Sequence, residues 1–433
     1  MQRRLFLPLV LGLWVLIAGL LLRHAGLLIV SAPLLLFTCI LAIVSLRFEP
    51  PAVRIRRRLS RQRVMEREEV DVTTEIEIPF ADPYRGKISV IDRIPTKASL
   101  LDGENQYLGE LLPGDSAVLQ YTLHLPRGVH RFPGVRALAW STWAWAGGTV
   151  TVEEESTDEA SLIVARPRTT ALGAIPIRPR RTRAFAGTVK ANRGGQGLSF
   201  HSSRSYVPGD DVRRINWRAY ARQETLIVNE YELERMADVS IVVDARLLAH
   251  FRLDHETTFD HAVRAAASLA SHFLHAGNIV GLLVYGDIIR WVFPGTGKVQ
   301  ERRIHDQLAA SFAADREVFE DLTNMPTRLF PPRSQLVFVS PLVDEEDVEV
   351  IAQLIDRGYS LLLVSPHATA WETEQVDSTD AAATARRIAA MKRSLYLDTL
   401  ARAGARVVSW DVAEPLAYAI ERDLGVSVYR RHA

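Results

Sequence analysis

Two apolar runs open the chain and constrain it more than anything that follows. Residues 5–22 (LFLPLVLGLWVLIAGLLL) and 27–46 (LLIVSAPLLLFTCILAIVSL) are separated only by RHAG. As helices, each would reach roughly 30 Å at 1.5 Å per residue, the thickness of a bilayer's hydrocarbon core. The expectation is a two-helix transmembrane hairpin over residues 1–48. MQRR would also suit the basic start of a signal peptide, but no small-residue cleavage site follows and a second run comes at once. Basic residues flank both outer ends, and the short loop carries only Arg23 and His24. The positive-inside rule then predicts a cytoplasmic (inner) membrane protein with two spans, both termini and the soluble domains being cytoplasmic. Arg54, Arg56, Arg57 and Arg58 follow directly in RIRRRLSRQR, and their position predicts contact with the lipid bilayer through anionic headgroups.

A chain of 433 residues is too long for one ordinary core, so further domains are expected. The net charge of +1 gives no field that would gather nucleic acid, and no nucleic-acid partner is expected. The single cysteine, Cys39, excludes an intrachain disulfide and any cysteine-based zinc or iron–sulfur site. No cofactor is expected. From Val70 the pattern has period two. VDVTTEIEI places Val70, Val72, Ile76 and Ile78 on one face, and AVLQYTLHL alternates in the same way. Turn signals such as LDGEN, LPGD and FPG separate short runs of this kind, which predicts an immunoglobulin-like β-sandwich over residues 49–170. WSTWAWA, with Trp140, Trp143 and Trp145, is read as a strand and turn closing that core.

Residues 171–237 read as a glycine- and proline-broken linker that ends in a charged segment. From Asp238 to the end, VSIVVD, NIVGLLVYGD, QLVFVSP, SLLLVSP and ARVVSW alternate with helical patterns. This predicts a doubly wound α/β domain over residues 238–433. Ligands of such sheets sit at the carboxyl ends of strands, which here carry Asp244, Gly286-Asp287, Ser340 and Ser365.

The charged segment, RSYVPGDDVRRINWRAYARQETLIV, has Pro208 and Gly209 at the central positions of a turn. That spacing suits a type II turn, after which Asp210 or Asp211 is expected to cap a short helix with Arg218 and Arg222 at its far end. Several Arg–carboxylate pairs would pin a crossover, so the segment is expected to clamp the sandwich to the α/β domain, with partner docking as the second reading. Its signature residues are Arg204, Tyr206, Gly209, Asp210, Asp211, Arg214, Trp217 and Arg222. These residues, preceded by an apolar hairpin and a β-rich region and followed by VVVD-like strand patterns, resemble the bacterial and archaeal domain-of-unknown-function 58 family.

The resemblance implies that the α/β part is a von Willebrand factor A-like domain. Such domains hold a divalent metal through an Asp-x-Ser-x-Ser loop, with a Thr and an Asp from other strand ends. This chain has Asp244-Ala245-Arg246-Leu247-Leu248 at that loop and Pro341 after the later strand. Only Asp244 and Thr257 or Thr258 survive, too few hard oxygen ligands for magnesium, so no metal is expected at this degenerate position. The resemblance also implies partners: a MoxR-type AAA+ ATPase, or a transglutaminase-like membrane protein, in complex assembly or maturation.

No HExxH, GxSxG or phosphate-loop pattern occurs, and the chain is not expected to be an enzyme. The expected function is that of a membrane-anchored interaction scaffold docking a cytoplasmic partner. The alternative is a hydrolase using an acid site built from Asp210, Asp211 and Asp244.

Overall fold

In a computed structural model the chain divides into two units, residues 1–165 and 166–433. The structure describes all residues except 1, 47, 81–83, 142–146, 155–160, 174, 176–181, 247–249, 254–255, 287, 314–321, 369–379 and 426–433, with backbone alone over 2–9, 41–42, 44–46, 151, 153–154, 182–201, 223, 230–235, 252–253 and 380–382. Trp143, Trp145 and Asp287 therefore lie outside the described residues.

The first unit opens with helices α1 (Gln2–Leu21) and α2 (Ala25–Leu46). They pack on one another where glycine allows approach: a Cβ on Gly12 or Gly19 would press on Leu35 or Leu27 at 3.1 Å. Among the described residues, however, no helix is long and apolar enough to cross a membrane. The expected transmembrane hairpin, and the two-span membrane location built on it, do not hold. A crossing needs an unbroken apolar helical stretch of roughly 20 residues, and none is found among the described residues.

Period-two alternation then builds the strands β1 (Ala52–Leu59), β2 (Arg63–Met65), β3 (Glu69–Glu77), β4 (Gly86–Asp92), β5 (Ser99–Gly103), β6 (Gln106–Glu110), β7 (Ser116–His124), β8 (Gly128–Arg131), β9 (Val135–Ser141), β10 (Gly147–Thr149), β11 (Thr151–Glu154) and β12 (Leu162–Arg166). They form sheets of order β11-β1-β3-β7-β5, β10-β9-β4-β6 and β2-β12-β8. Val53, Ile55, Val72, Ile76 and Leu123 of the first sheet share one core with Ile88, Val90 and Ala139 of the second, a sheet-on-sheet sandwich.

The basic strand β1 alternates too. Arg54, Arg56 and Arg58 are exposed, and Arg54 and Arg56 stand opposite Glu77 and Glu75 of β3. Arg57 faces inward with Val53 and Ile55, so it does not belong to a headgroup-facing set. Its guanidinium is fully buried and donates from Nε (3.1 Å) and Nη2 (2.6 Å) to the equally buried Asp92. The hydroxyls of Thr74 (2.7 Å) and Tyr121 (2.8 Å) also donate to Asp92, and Phe132 stacks under Arg57 at 4.4 Å. Burial, reinforced by the Asp92 charge, holds the Tyr121 phenol well above its ordinary range.

The second unit begins with a surprise of pairing. The segment expected to be a linker contains β13 (Thr182–Ser205), which runs antiparallel along β14 (Ile227–Asp244). Four register shifts, two of them at Ala191/Gly194 and Gly195/Phe200, absorb the glycines that broke the sequence pattern. Helix α3 (Trp217–Gln223) sits in the connection at the tip. β14 continues into a parallel sheet through β15 (Arg252–Leu253), β16 (Glu256–Thr257), α4 (Thr258–His275), β17 (Ile279–Tyr285), β18 (Arg290–Gly295), α5 (Gly297–Ala309), β19 (Gln335–Val339), α6 (Glu345–Asp356), β20 (Ser360–His367), α7 (Asp380–Arg402), β21 (Arg406–Asp411) and α8 (Leu416–Leu424). The order is β18-β17-β14-β19-β20-β21, with β18 antiparallel at one edge. Phe259, Phe273 and Ile420 pack on one face and Val348, Ile351 and Leu400 on the other, so helices cover both faces.

Candidate functional site: a hairpin tip and a strand-end crevice

The crevice lies where β14 and β19 end. Asp244, Arg246, Ser340 and Asp347 are all buried there. Arg246 follows Asp244 by two residues, so its side chain folds back over the strand end. Its guanidinium donates to Asp244 from Nε (3.0 Å) and Nη2 (2.8 Å), and to Asp347, in the first turn of α6, from Nη1 (3.0 Å) and Nη2 (2.6 Å). The Ser340 hydroxyl donates to Asp244 at 2.8 Å, and the Leu322 amide to Asp347 at 3.2 Å. Burial pushes the Asp244 carboxyl up, but the hydrogen bonds and charge of Arg246 outweigh it, and the group sits below the usual carboxylate range. Asp347 ends above that range, because burial outweighs the hydrogen bonds and charge of Arg246, and Asp244 adds like charge.

A guanidinium thus stands between the two acids. Thr258 is directed elsewhere: its hydroxyl accepts from the Phe251 amide at 2.9 Å and lies 3.3 Å from Nδ1 of His250. Burial holds His250 neutral, and its Nε2–H donates to the Asp244 carbonyl at 2.6 Å. Among the described residues no group of three His, Cys, Asp or Glu is placed to hold a metal ion. Asp347 is not among the residues singled out from the sequence. The available signal was electrostatic: one strand-end Asp next to an Arg leaves half of the guanidinium's donors needing a second acid.

The tip, residues 204–228, is held by its own polar groups. Val207 to Asp210 form the expected turn, closed by the Asp210 amide on the Val207 carbonyl (3.0 Å), with Gly209 at φ +107°. Asp210 takes both Nη atoms of Arg204 at 2.7 Å and the Val207 amide at 2.9 Å. Asp211 caps a single 3-10 turn over Val212–Arg214, and Asn216, not an aspartate, caps α3 by accepting from the Ala219 amide. The Tyr206 amide donates to the Leu226 carbonyl, and buried Ile215 bridges to Val228. The Arg204–Asp210 pair joins the start of the tip to its turn.

What the tip leaves outside is apolar and basic. Trp217 is 58% exposed and Tyr220 41%, with their rings edge-to-face at 6.2 Å. Val207 and Val212 are exposed beside them. Arg213, Arg218 and Arg222 are exposed, and no carboxylate pairs with them among the described residues. The acids of the alternative hydrolase reading are not brought together. Asp210 and Asp211 sit at the tip and Asp244 at the other end of β14, a strand contour of roughly 55 Å at about 3.3 Å per residue.

The Arg204 hydrogen bonds, then the Val207 amide, hold the Asp210 carboxyl down at about 2. The folded-state value is depressed, so the clasp stabilises the tip fully above the ordinary 3.8 and is lost as pH falls through about 2. A carboxyl-carbon NMR titration should give that midpoint, and Arg204→Gln should return it to the ordinary range. A midpoint that stays near 2 in the variant would remove Arg204 as the cause.

The family model described as Protein of unknown function DUF58 matches residues 202–364, from the tip through the crevice to β20. Over these residues the chain matches the DUF58 family. The DUF58 match thus contains both features described above. No curated protein matches the chain. Among solved structures, a non-cellulosomal cohesin from the archaeon Archaeoglobus fulgidus is 15% identical, covering 24% of this chain and 86% of its own, at a TM-score of 0.17. BslA, a bacterial hydrophobin, is 12% identical over 25% of this chain and 100% of its own, at 0.15. A GH20 exo β-N-acetylglucosaminidase from Vibrio harveyi is 9% identical over 72% and 57%, at 0.17. At these TM-scores the similarities carry no inference about fold or function.

Proposed function

We propose that this DUF58 protein is an interaction module that docks a protein partner through the hairpin tip. One observation carries the reading: an exposed aromatic pair, Trp217 and Tyr220, stands beside three arginines that have no carboxylate partner among the described residues, on a frame tied by its own hydrogen bonds. Trp, Tyr and Arg are the residues that dominate binding energy at interfaces, and a rigid frame lowers the entropy lost on association. Exposed aliphatic side chains at Val207 and Val212 suit a protein surface better than a polyanion, and the whole chain's net charge of +1 supplies no field for one.

The α/β unit is read as von Willebrand factor A-like, with Arg246 standing where those domains keep a metal. Docking on this reading uses no bridging cation. The partner class that the family resemblance brings, a MoxR-type AAA+ ATPase, is the first to test, and a transglutaminase-like membrane protein the second. Purified full-length chain, immobilised, is expected to retain the ATPase, and Trp217→Ala with Tyr220→Ala to weaken that retention at least about tenfold, roughly one hot spot's contribution. The variant's melting temperature should not change, because neither ring is buried. Equal retention by the variant would sink the docking role of the tip.

A further inference from the structure

Among the described residues, strand β21 is the sheet's outer edge opposite β18, and half of its backbone groups face away from β20. At Ser409 these groups are met by side chains from the end of α8. The Ser409 amide donates to the Asp423 carboxylate at 2.8 Å, and Nη2 of Arg422 donates to the Ser409 carbonyl at 2.6 Å. A carboxylate oxygen and a guanidinium N–H therefore stand where a neighbouring strand's C=O and N–H would be. Alternation along a strand turns the amide and carbonyl of Val407 to the same free side.

Beside this edge runs a cavity of ≈ 300 Å³ between β21 and α7, lined among others by Ser394, Leu397, Asp398, Val407, Ser409 and Asp423. Arg393, also on its wall, is committed to Ser365 and Ser409. Asp398 is exposed, and no cation pairs with it among the described residues. Asp398 thus offers an exposed carboxylate to a basic side chain, beside the edge of β21.

We propose that this edge is a strand-addition site for an extended segment of a partner protein carrying a Lys or Arg. The backbone of that segment pairs with Val407 and then replaces Asp423 and Arg422 at Ser409, while its basic side chain meets Asp398. Main-chain pairing supplies affinity and the side-chain contact supplies selection. Arg422 and Asp423 act as a latch: they cover the edge until a strand displaces them, which also keeps two copies of the chain from pairing edge to edge. The site is separate from the hairpin tip and does not depend on the docking role given to it.

The test uses the full-length chain and two labelled decapeptides that alternate Val and Thr, one carrying two Lys and the other two Glu. Hydrogen exchange read by mass spectrometry over 406–411 should slow with the Lys peptide, and fluorescence anisotropy should rank the Lys peptide tighter than the Glu peptide. Asp398→Asn, an exposed change that spares the fold, should weaken the Lys peptide about threefold, in keeping with a solvent-exposed pair. Arg422→Ala with Asp423→Ala should tighten it about tenfold, since the latch no longer competes. No slowing of exchange in either protein would overturn the proposal, as would equal binding of the two peptides. A double variant that dimerises at β21 yet takes no peptide would also overturn it, reducing Arg422 and Asp423 to an edge cover.

Discussion

Arg246→Ala should lower the unfolding free energy of the α/β unit by about 3–5 kcal/mol, the cost of leaving buried carboxylates without their cation. Asp244 and Asp347 are both buried and both take two of their short contacts from Arg246. Without it, Ser340 and Leu322 are the remaining donors from outside the Asp244 turn, and neither carries charge. The two acids should not respond alike. Asp244 is held ionised below the usual range, so its contribution exists above the ordinary carboxylate pKa and is lost as pH falls through its depressed value. Asp347 is raised, so its ionisation weakens the fold, and stability is lost as pH rises through its elevated value. Asp244→Asn should therefore cost more than Asp347→Asn at neutral pH. Denaturant midpoints of the three variants check the ranking. An Arg246→Ala loss below about 1 kcal/mol would show that the crevice tolerates an unpaired acid. Calorimetry with magnesium and manganese on the wild-type chain should show no micromolar binding while the guanidinium fills the centre.

The second large effect belongs to the sandwich. Asp92→Ala removes the carboxylate that takes two bonds from the fully buried Arg57 and leaves the Thr74 and Tyr121 hydroxyls without their acceptor. The expected loss is again about 3–5 kcal/mol, felt by the first unit alone. Scanning calorimetry of the full chain should resolve it as a downward shift of one transition while the other stays in place, since distant independent sites do not couple. Replacing the pair together, Arg57→Met with Asp92→Leu, should recover much of the loss, because hydrophobic residues can substitute for a buried pair. If the single variant melts like the wild type, the network is not the centre of that core. Two separate transitions also mean that no single unfolding free energy describes the whole chain.

Much of this architecture was legible because burial follows period. VDVTTEIEI has the buried-face alternation that its letters suggest, including Thr74, whose hydroxyl serves Asp92. RIRRRL carried the same period, but four arginines among six residues read as a solvated run, and the inward place of Arg57 was hidden by its charge. An acid 35 residues away meets it, and a partner at that separation leaves no local mark. The hairpin arm was obscured in the opposite way. Gly194, Gly195 and Gly197 break every local strand pattern, and it is pairing with β14, register shifts included, that makes β13 a strand. At the tip, the turn at Pro208-Gly209 was readable from residue type, while the choice of Asn216 over Asp211 as the α3 cap depended on where the 3-10 turn ended. In the opening runs, apolar composition foretold helices correctly, but a membrane crossing was an inference from length that the described helices do not meet.

Strand β14 joins the two features of the α/β unit mechanically. It is one continuous element from Ile227, next to the tip, to Asp244 in the crevice, and its inner half is hydrogen-bonded in parallel to β17 on one side and β19 on the other. A pull applied at the tip along the arm acts along the axis of the sheet's central strand, loading both ladders in shear, so that many hydrogen bonds resist together rather than parting one at a time. A pull at Trp217 thus meets a stiff handle, with the far end of the same strand anchored by the Asp244–Arg246–Asp347 knot.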